Sequence, residues 1–252
     1  MTPVVFTDLD GTLLDHATYS HAAAAPALDA LRAARIPVVL CSSKTAAEIA
    51  PLHAALSLAP APYVVENGAG IVWPGSTLAD TGSYARIRAA IAAMGAPFRG
   101  FGDMTDAEVS DNTGLSMQDA ALARQRRFSE PGVWQGDPAD LPAFLEAVSK
   151  RGLVAKQGGR FLTLSEGGDK ATAMKTVTDR LGSDWVIALG DAPNDAAMIQ
   201  AANLGIVVAN PHGPGIPPFA DEAHIKRTTL PGPAGWNAAI LDFLKTPAGA
   251  PR

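Results

Sequence analysis

The sequence has 252 residues, a formal net charge of −5 and a single cysteine. Apolar residues make up 47% of it, but 48 residues are alanine, which favours helices more than a large core. One cysteine excludes a disulfide framework and a cysteine-built zinc site, and the acidic balance argues against nucleic-acid binding by bulk charge. No apolar run is as long as a membrane span, and the N-terminus lacks the basic start of a signal peptide. We therefore expect a globular, cytoplasmic protein that binds neither nucleic acid nor membrane.

Short β-branched runs alternate along the chain with alanine-rich helical stretches. Continuous apolar strands separated by helices are typical of a parallel sheet that is covered on both faces. We therefore predict an α/β fold, with a frayed tail over residues 246–252. The predicted strands are 4–7, 38–41, 63–65, 185–189 and 205–208.

About 120 residues separate the third and fourth runs, too many for a single crossover connection. We therefore predict a core domain of residues 1–81 and 169–252 and an inserted α+β domain of residues 82–168. The insert carries ten acids and ten bases, so the core accounts for the whole net charge and the insert is the part more suited to an anion. The insert is predicted to contain helices at 83–95, 116–127 and 138–150 and strands at 132–135, 153–156 and 160–164.

Polar side chains cluster where the first four predicted strands end. Because the carboxyl ends of parallel strands meet at one edge of a sheet, we expect these side chains to converge on one site. The residues concerned are Asp8, Asp10, Ser42, Ser43, Lys44, Glu66, Asn67, Asp191, Asn194 and Asp195.

Carboxylates that converge on one point repel each other strongly unless a cation lies among them. Their hard oxygen atoms suit Mg²⁺, which also neutralises the charge of a transferring phosphoryl group. Lys170 and Ser42 would hold the remaining phosphoryl oxygens, and a carboxylate free to attack phosphorus would form an aspartyl phosphate. The sequence therefore predicts a Mg²⁺ site for phosphoryl transfer, formed by Asp8, Asp10, Asp191 and Asp195.

Four motifs resemble those of the haloacid dehalogenase superfamily. Residues 8–15 (DLDGTLLD) resemble its first motif, Ser42 the second, Lys170 the third and residues 190–195 (GDAPND) the fourth. The insert between the second and third motifs resembles the type IIB subclass. This resemblance implies a Rossmann-like core with a C2B cap domain and phosphate transfer that depends on Mg²⁺.

The resemblance also implies a role for each acid. Asp8 would be the nucleophile and would place its side chain on the metal. Asp10 would be the general acid for the leaving oxygen and then the base for water, with its backbone carbonyl on the metal. Asp191 would ligate Mg²⁺, and Asp195 would support it directly or through water.

Further segments resemble mannosyl-3-phosphoglycerate phosphatases, which release the compatible solute mannosylglycerate. They are residues 41–49 (CSSKTAAEI), 127–131 (RFSEP), 158–161 (GGRF) and 232–237 (GPAGWN). The implied substrate carries a phosphate and a carboxylate, and arginine binds such anions in bidentate geometry.

Arg127 and Arg160 are accordingly the predicted contacts of the cap with the substrate. Glu130 is predicted to accept hydrogen bonds from sugar hydroxyls, and Asn67 to bridge to the substrate from the core. Thr163 stands where many relatives have histidine. Ser43, Lys44, Glu66 and Asn194 complete the predicted substrate-binding residues.

Other interpretations remain open at this point. A broad-specificity Cof-type sugar phosphatase or a phosphomutase-like relative would use the same motifs, and a non-enzymatic metabolite-binding protein would retain only the fold. The motifs do not separate a mannosyl from a glucosyl substrate, or a monomer from a homodimer.

Overall fold

A computed structural model describes residues 2–158 and 160–245. The predicted frayed tail, 246–252, and Gly159 in the motif at 158–161 lie outside the described residues. The strands are β1 (Pro3–Thr7), β2 (Val38–Leu40), β3 (Tyr63–Val65), β4 (Gly70–Val72), β5 (Phe98–Gly100), β6 (Ser129–Trp134), β7 (Val154–Gly158), β8 (Phe161–Ser165), β9 (Trp185–Gly190), β10 (Leu204–Ala209) and β11 (Ile225–Pro231). The α-helices are α1 (Ala25–Ala33), α2 (Ala46–Ala55), α3 (Ser83–Met94), α4 (Asp106–Thr113), α5 (Met117–Ala123), α6 (Leu141–Lys150), α7 (Lys170–Leu181), α8 (Ala196–Ala201) and α9 (Gly232–Lys245).

The central sheet has five parallel strands in the order β11-β10-β9-β1-β2. Side chains alternate between its faces, so each apolar run supplies two cores. Val5 and Ile187 face the core shared with α1 and α9, whereas Phe6 and Ala188 face the core shared with α7 and α8. The predicted α/β fold, with a sheet covered on both faces, is confirmed.

The third predicted strand behaves differently from the prediction. β3 pairs antiparallel with β4 in a separate two-stranded sheet, and a parallel bridge between Cys41 and Val64 links it to the central sheet. The cause is local, because residues 66–68 form a left-handed turn that reverses the chain. β11 was not predicted, since its threonines and cations lack the apolar character of a buried strand.

A second, antiparallel sheet of four strands lies apart from the central one, in the order β5-β6-β8-β7. Leu162 and Leu164 point to one face, where α3 and α6 cover them. Phe161 points to the other face and packs with α4 and α5. This is the cap sheet of the predicted fold class.

The elements around the cap sheet differ from the predictions in detail. The predicted helix at 116–127 is shorter, because α5 begins after the Ser116 cap and ends at Ala123. α4 and β5 were not predicted. α4 buries only Val109 and so lacks an apolar stripe, and β5 has only three residues. Local periodicity is too weak a signal for such short elements.

Within residues 2–158 and 160–245, no helix has the length and hydrophobicity needed to span a membrane.

Candidate active site

Three aspartates from two strand ends converge at the carboxyl edge of the central sheet. Asp8 follows β1, and Asp191 and Asp195 follow β9. Each offers a carboxylate oxygen within 4.8 Å of the others, and all three residues are buried. The predicted convergence of these acids is therefore present in the structure.

Lys170 supplies a buried positive charge to this cluster. It is the first residue of α7, whose N-terminus is capped by the Asp169 side chain. Its Nζ lies 2.5 Å from Asp8 Oδ1 and 2.7 Å from Asp195 Oδ1, and the residue is only 1% exposed. Burial disfavours the ammonium form, but the carboxylates of Asp195 and Asp8 outweigh it and raise the pKa of Lys170. Lys170 is therefore a permanent cation at the site.

Asp191 and Asp195 are held by donors that fix their orientation. Asp191 accepts hydrogen bonds from Thr12 Oγ1 at 2.6 Å and from Asn210 Nδ2 at 2.5 Å. Asp195 Oδ2 accepts from the backbone amides of Asp191 and Ala192. Thr12 and Asn210 had no predicted role, although Asn210 follows β10 and the strand-end rule that found the acids points to it as well.

One glycine makes the close approach to Asp191 possible. Gly11 has φ +78°, and a Cβ there would stand 2.8 Å from Asp191 Oδ2. An L-residue would therefore be strained in its backbone and would also collide with the acid.

The acidic cluster suits a divalent cation. Burial raises the pKa of Asp191 despite the hydrogen bond from Thr12, and burial also raises the pKa of Asp8 against the opposing charge of Lys170. Apart from burial, the three neighbouring carboxylates repel one another, and a single lysine offsets only part of their negative charge. A hard cation bound to their oxygens would relieve this repulsion.

The carboxylate of Asp10 lies outside this cluster and pairs with Lys44 instead. Lys44 Nζ is 3.0 Å from Asp10 Oδ2. Asp10 Oδ1 is shielded from solvent and has no hydrogen-bond partner among the described residues. Asp8 and Asp10 therefore have different surroundings, because Asp8 lies in the buried cluster and Asp10 in a partly exposed pair with Lys44.

The second-motif residues lie between β2 and α2. Ser42 is 1% exposed, and its Oγ accepts from the Lys44 amide at 3.3 Å. The carbonyl of Ser43 accepts from the Arg126 guanidinium of the cap region. Thr45 then caps α2 in a capping box with Glu48. This tight turn places Ser42 and Lys44 at the same sheet edge as the acids.

Glu66 and Asn67 connect the edge of the core to other parts of the site. Both have left-handed backbones, with φ +48° and +60°. The Glu66 carboxylate accepts from the amides of Arg127 and Phe128 and from Ser129 Oγ at 2.6 Å, so both its oxygens are engaged by the cap region. Asn67 Oδ1 accepts from the side chain of Asn194 at 3.1 Å, so these two predicted residues are neighbours.

The predicted cap contacts are dispersed. The exposed Arg127 lines a cavity of about 670 Å³ beside α2 and the start of α3. Glu130 is fully buried beneath α3, where its Oε1 accepts from Arg88 and the Gly102 amide, so it is closed to a sugar in this structure. Arg160 is exposed and lies beside the ring of Phe161, with its guanidinium carbon 5.9 Å from the ring centre. Their roles stay predictions.

α9, which is distant in sequence from β1, supports the backbone beside Asp8. The indole Nε1 of the fully buried Trp236 in α9 donates to Thr7 Oγ1 at 3.0 Å, and Thr7 Oγ1 donates to the carbonyl of Asp8. Thr7 and Trp236 therefore anchor the backbone at the end of β1, a contact that no sequence pattern predicts.

The family of haloacid dehalogenase-like hydrolases matches residues 5–84 and 139–214. The chain belongs to this family. The family predicted from the sequence is confirmed. The predicted enzyme class, a phosphoric monoester hydrolase, is confirmed as well. The site described above is thus the strand-end site of a haloacid dehalogenase-like hydrolase, whose members use a divalent metal.

Similar proteins extend this result along the whole chain. A glucosyl-3-phosphoglycerate/mannosyl-3-phosphoglycerate phosphatase of Methanococcoides burtonii is 34% identical, with 97% of this chain and 98% of that protein covered. A haloacid dehalogenase-like hydrolase from Bacteroides thetaiotaomicron has TM-score 0.70 at 20% identity, covering 96% and 100% of the two chains. The sucrose-phosphatase of Synechocystis, solved with sucrose and phosphate, has TM-score 0.67 at 15% identity, covering 96% and 98%.

Proposed function

We propose that this enzyme is a Mg²⁺-dependent phosphatase of 3-phosphoglycerate that carries a glycosyl group, either mannosyl or glucosyl. The observation that carries the reaction is the buried group of Asp8, Asp191 and Asp195 around Lys170. The full-length similarity to a phosphatase named for these two substrates supports the choice of substrate. The products would be the glycosylglycerate and phosphate.

Asp8 is the proposed nucleophile. One of its carboxylate oxygens attacks phosphorus, the bond between phosphorus and the glycerate oxygen breaks, and Asp10 gives a proton to that oxygen. Asp10 then takes a proton from a water molecule whose oxygen attacks the phosphorus of the aspartyl phosphate. The bond to Asp8 breaks, phosphate leaves and both acids return to their starting state.

The surrounding residues hold the phosphoryl group in line for both steps. The Lys170 ammonium neutralises phosphoryl charge next to Asp8, and Ser42 donates its hydroxyl to a phosphoryl oxygen. Asp8, Asp191, Asp195 and the backbone carbonyl of Asp10 would hold Mg²⁺, which supplies positive charge to the same oxygens.

The cap would select the substrate. We propose that residues 82–168 form the cap domain and that residues 1–81 and 169–252 form the core. Arg127, Arg160 and Glu130 are the proposed cap contacts, and Ser43, Lys44, Glu66, Asn67 and Asn194 those from the core. We further propose that the enzyme is cytoplasmic and is a monomer or a homodimer.

The experiment that tests this function is phosphate release from glucosyl- and mannosyl-3-phosphoglycerate, with Mg²⁺ and with a chelator. We expect turnover that requires Mg²⁺ and falls by about 10³-fold or more in Asp8→Asn, which keeps the shape of the side chain without its nucleophilic charge. Circular dichroism of the variant would verify its fold. Near-normal turnover by folded Asp8→Asn would refute the mechanism.

The same assay separates the alternative substrates. A broad sugar phosphatase would hydrolyse simple hexose phosphates with a higher kcat/KM than the glycosylated substrates. A phosphomutase would return the phosphate to another hydroxyl rather than release it.

A further inference from the structure

Tyr19 combines exposure with an unfavourable backbone conformation. Its φ is +55°, and the residue is 51% exposed. For a bulky L-residue this left-handed region costs about 1–2 kcal/mol, whereas glycine would adopt it freely. Glycine would remove this strain, so the presence of tyrosine points to a use for its side chain.

The loop that carries Tyr19 is held firmly by Asp15. Asp15 Oδ1 accepts from the amides of Ala17 and Thr18 and from Thr18 Oγ1 at 2.8 Å. The Tyr19 amide donates to the carbonyl of Asp15, and the Asp15 amide donates to the carbonyl of Ser20. The loop thus closes on itself, so the direction of the tyrosine side chain is set by a rigid turn.

The ring of Tyr19 lies beside Lys44, the residue that pairs with Asp10. Lys44 Nζ lies 5.4 Å from the ring centre and 3.0 Å from Asp10 Oδ2. Asp10 is the proposed proton donor to the leaving oxygen. The ring therefore lies close to the place where the leaving group would bind. Half of the tyrosine is still open to solvent, and an ammonium donor is at hand beside it.

We propose that Tyr19 is a specificity-determining residue on which the glycosyl ring of the substrate packs. The C–H groups of a pyranose form an apolar face, and an exposed, rigidly oriented aromatic ring is its natural counterpart. In a glycosylated phosphoglycerate the sugar is attached a few bonds from the leaving oxygen. This short separation matches the closeness of Asp10 and the Tyr19 ring, which both lie beside Lys44. This inference rests on the proposed function.

The experiment compares two substrates that share a leaving oxygen. Glucosyl-3-phosphoglycerate carries the sugar, and 3-phosphoglycerate lacks it. We expect Tyr19→Ala to raise KM for the glycosylated substrate by up to about tenfold while changing kcat/KM for 3-phosphoglycerate by less than about twofold. Tyr19→Phe keeps the ring and should behave like the wild type. Leu230→Ala, at a position of similar exposure on β11, is the matched control.

The possible outcomes are distinguishable. Equal losses on both substrates would show that the ring acts only through Lys44, and a loss in Tyr19→Phe as large as in Tyr19→Ala would assign the effect to the hydroxyl. Either result would overturn the inference. If the wild-type enzyme releases no phosphate from the glycosylated substrate, the proposed function fails as well. Normal wild-type turnover with an unchanged Tyr19→Ala overturns the Tyr19 role alone.

Discussion

The carboxyl edge of the core and the cap hold their charged residues in opposite ways. At the edge, Lys170 and Asp195 are buried, and Lys170 bridges acids from two different strand ends. In the cap, apart from buried charges such as Glu130, pairs such as Arg99–Glu108 and Arg124–Asp106 are about one-third exposed, and Arg160 lies open to solvent. Buried charges are costly to disturb, whereas partly exposed pairs contribute little to stability. We therefore expect the core to carry out one fixed chemistry and the cap to provide adjustable recognition.

The largest effect should follow from removing the buried cation. We expect Lys170→Met to lower kcat by about 10³-fold or more for every phosphate ester, because it removes charge next to the phosphoryl group. It should also lower the free energy of unfolding by about 3–5 kcal/mol, since it leaves Asp8 and Asp195 without their partner. Phosphate release and urea denaturation are the measurements.

Lys175→Met is the matched control on the same helix. Lys175 pairs with Asp179 on the exposed side of α7, so its loss should change stability by less than about 0.5 kcal/mol. Equal losses of stability and activity in the two variants would mean that burial of the lysine charge does not matter. That result would contradict the distinction between buried and exposed charges.

A smaller effect is expected from loosening Asp191 without removing it. In Asn210→Ala, Asp191 keeps Thr12 but loses its second donor, so the carboxylate is less well oriented toward a metal. Loss of such an orienting partner typically weakens metal affinity by about 10–100-fold. We expect the Mg²⁺ concentration for half-maximal activity to rise by that factor, with kcat at saturating Mg²⁺ largely retained. An unchanged Mg²⁺ dependence would count against Asp191 as a ligand.

The smallest and most selective effect should come from the cap. We expect Arg160→Ala to lower kcat/KM for glucosyl-3-phosphoglycerate by about tenfold, the value of one charged hydrogen bond, and to leave p-nitrophenyl phosphate nearly unaffected. Arg151→Ala, which removes another cap arginine whose guanidinium donates to the carbonyl of Ala147 in its own helix turn, is the control. Equal losses on both substrates would show that Arg160 does not recognise the glycosylglycerate part of the substrate. The proposed difference in function between core and cap would then lose its support.

The core site was predictable because one geometric rule covers it. Parallel strands end at a common edge, so the positions of Asp8, Asp191 and Ser42 followed from the strands alone. The same rule would have found Asn210 at the end of β10. It could not reveal that Asp10 turns toward Lys44, because the direction of a side chain in a turn depends on contacts that no local pattern encodes.

The cap was harder to predict for a physical reason. Its sheet is antiparallel and its strands are short. A change of one residue in register therefore moves a side chain to the opposite face of the sheet. Glu130 illustrates the consequence, since its place on β6 directs it beneath α3 and onto Arg88 instead of into a cleft. In the core, β3 lies at the predicted residues, but the left-handed turn at 66–68 reverses the chain after it and β3 pairs with β4.

The hydrogen bond from Trp236 to Thr7 has a consequence for the synthesis of the enzyme. Its partners are 229 positions apart, so the backbone beside Asp8 gains this support only after α9 has formed. A nascent chain that still lacks α9 has all four motifs and yet an unsupported Asp8. We expect catalytic competence to arise late in translation, when α9 leaves the ribosome and docks, and not gradually as each motif emerges.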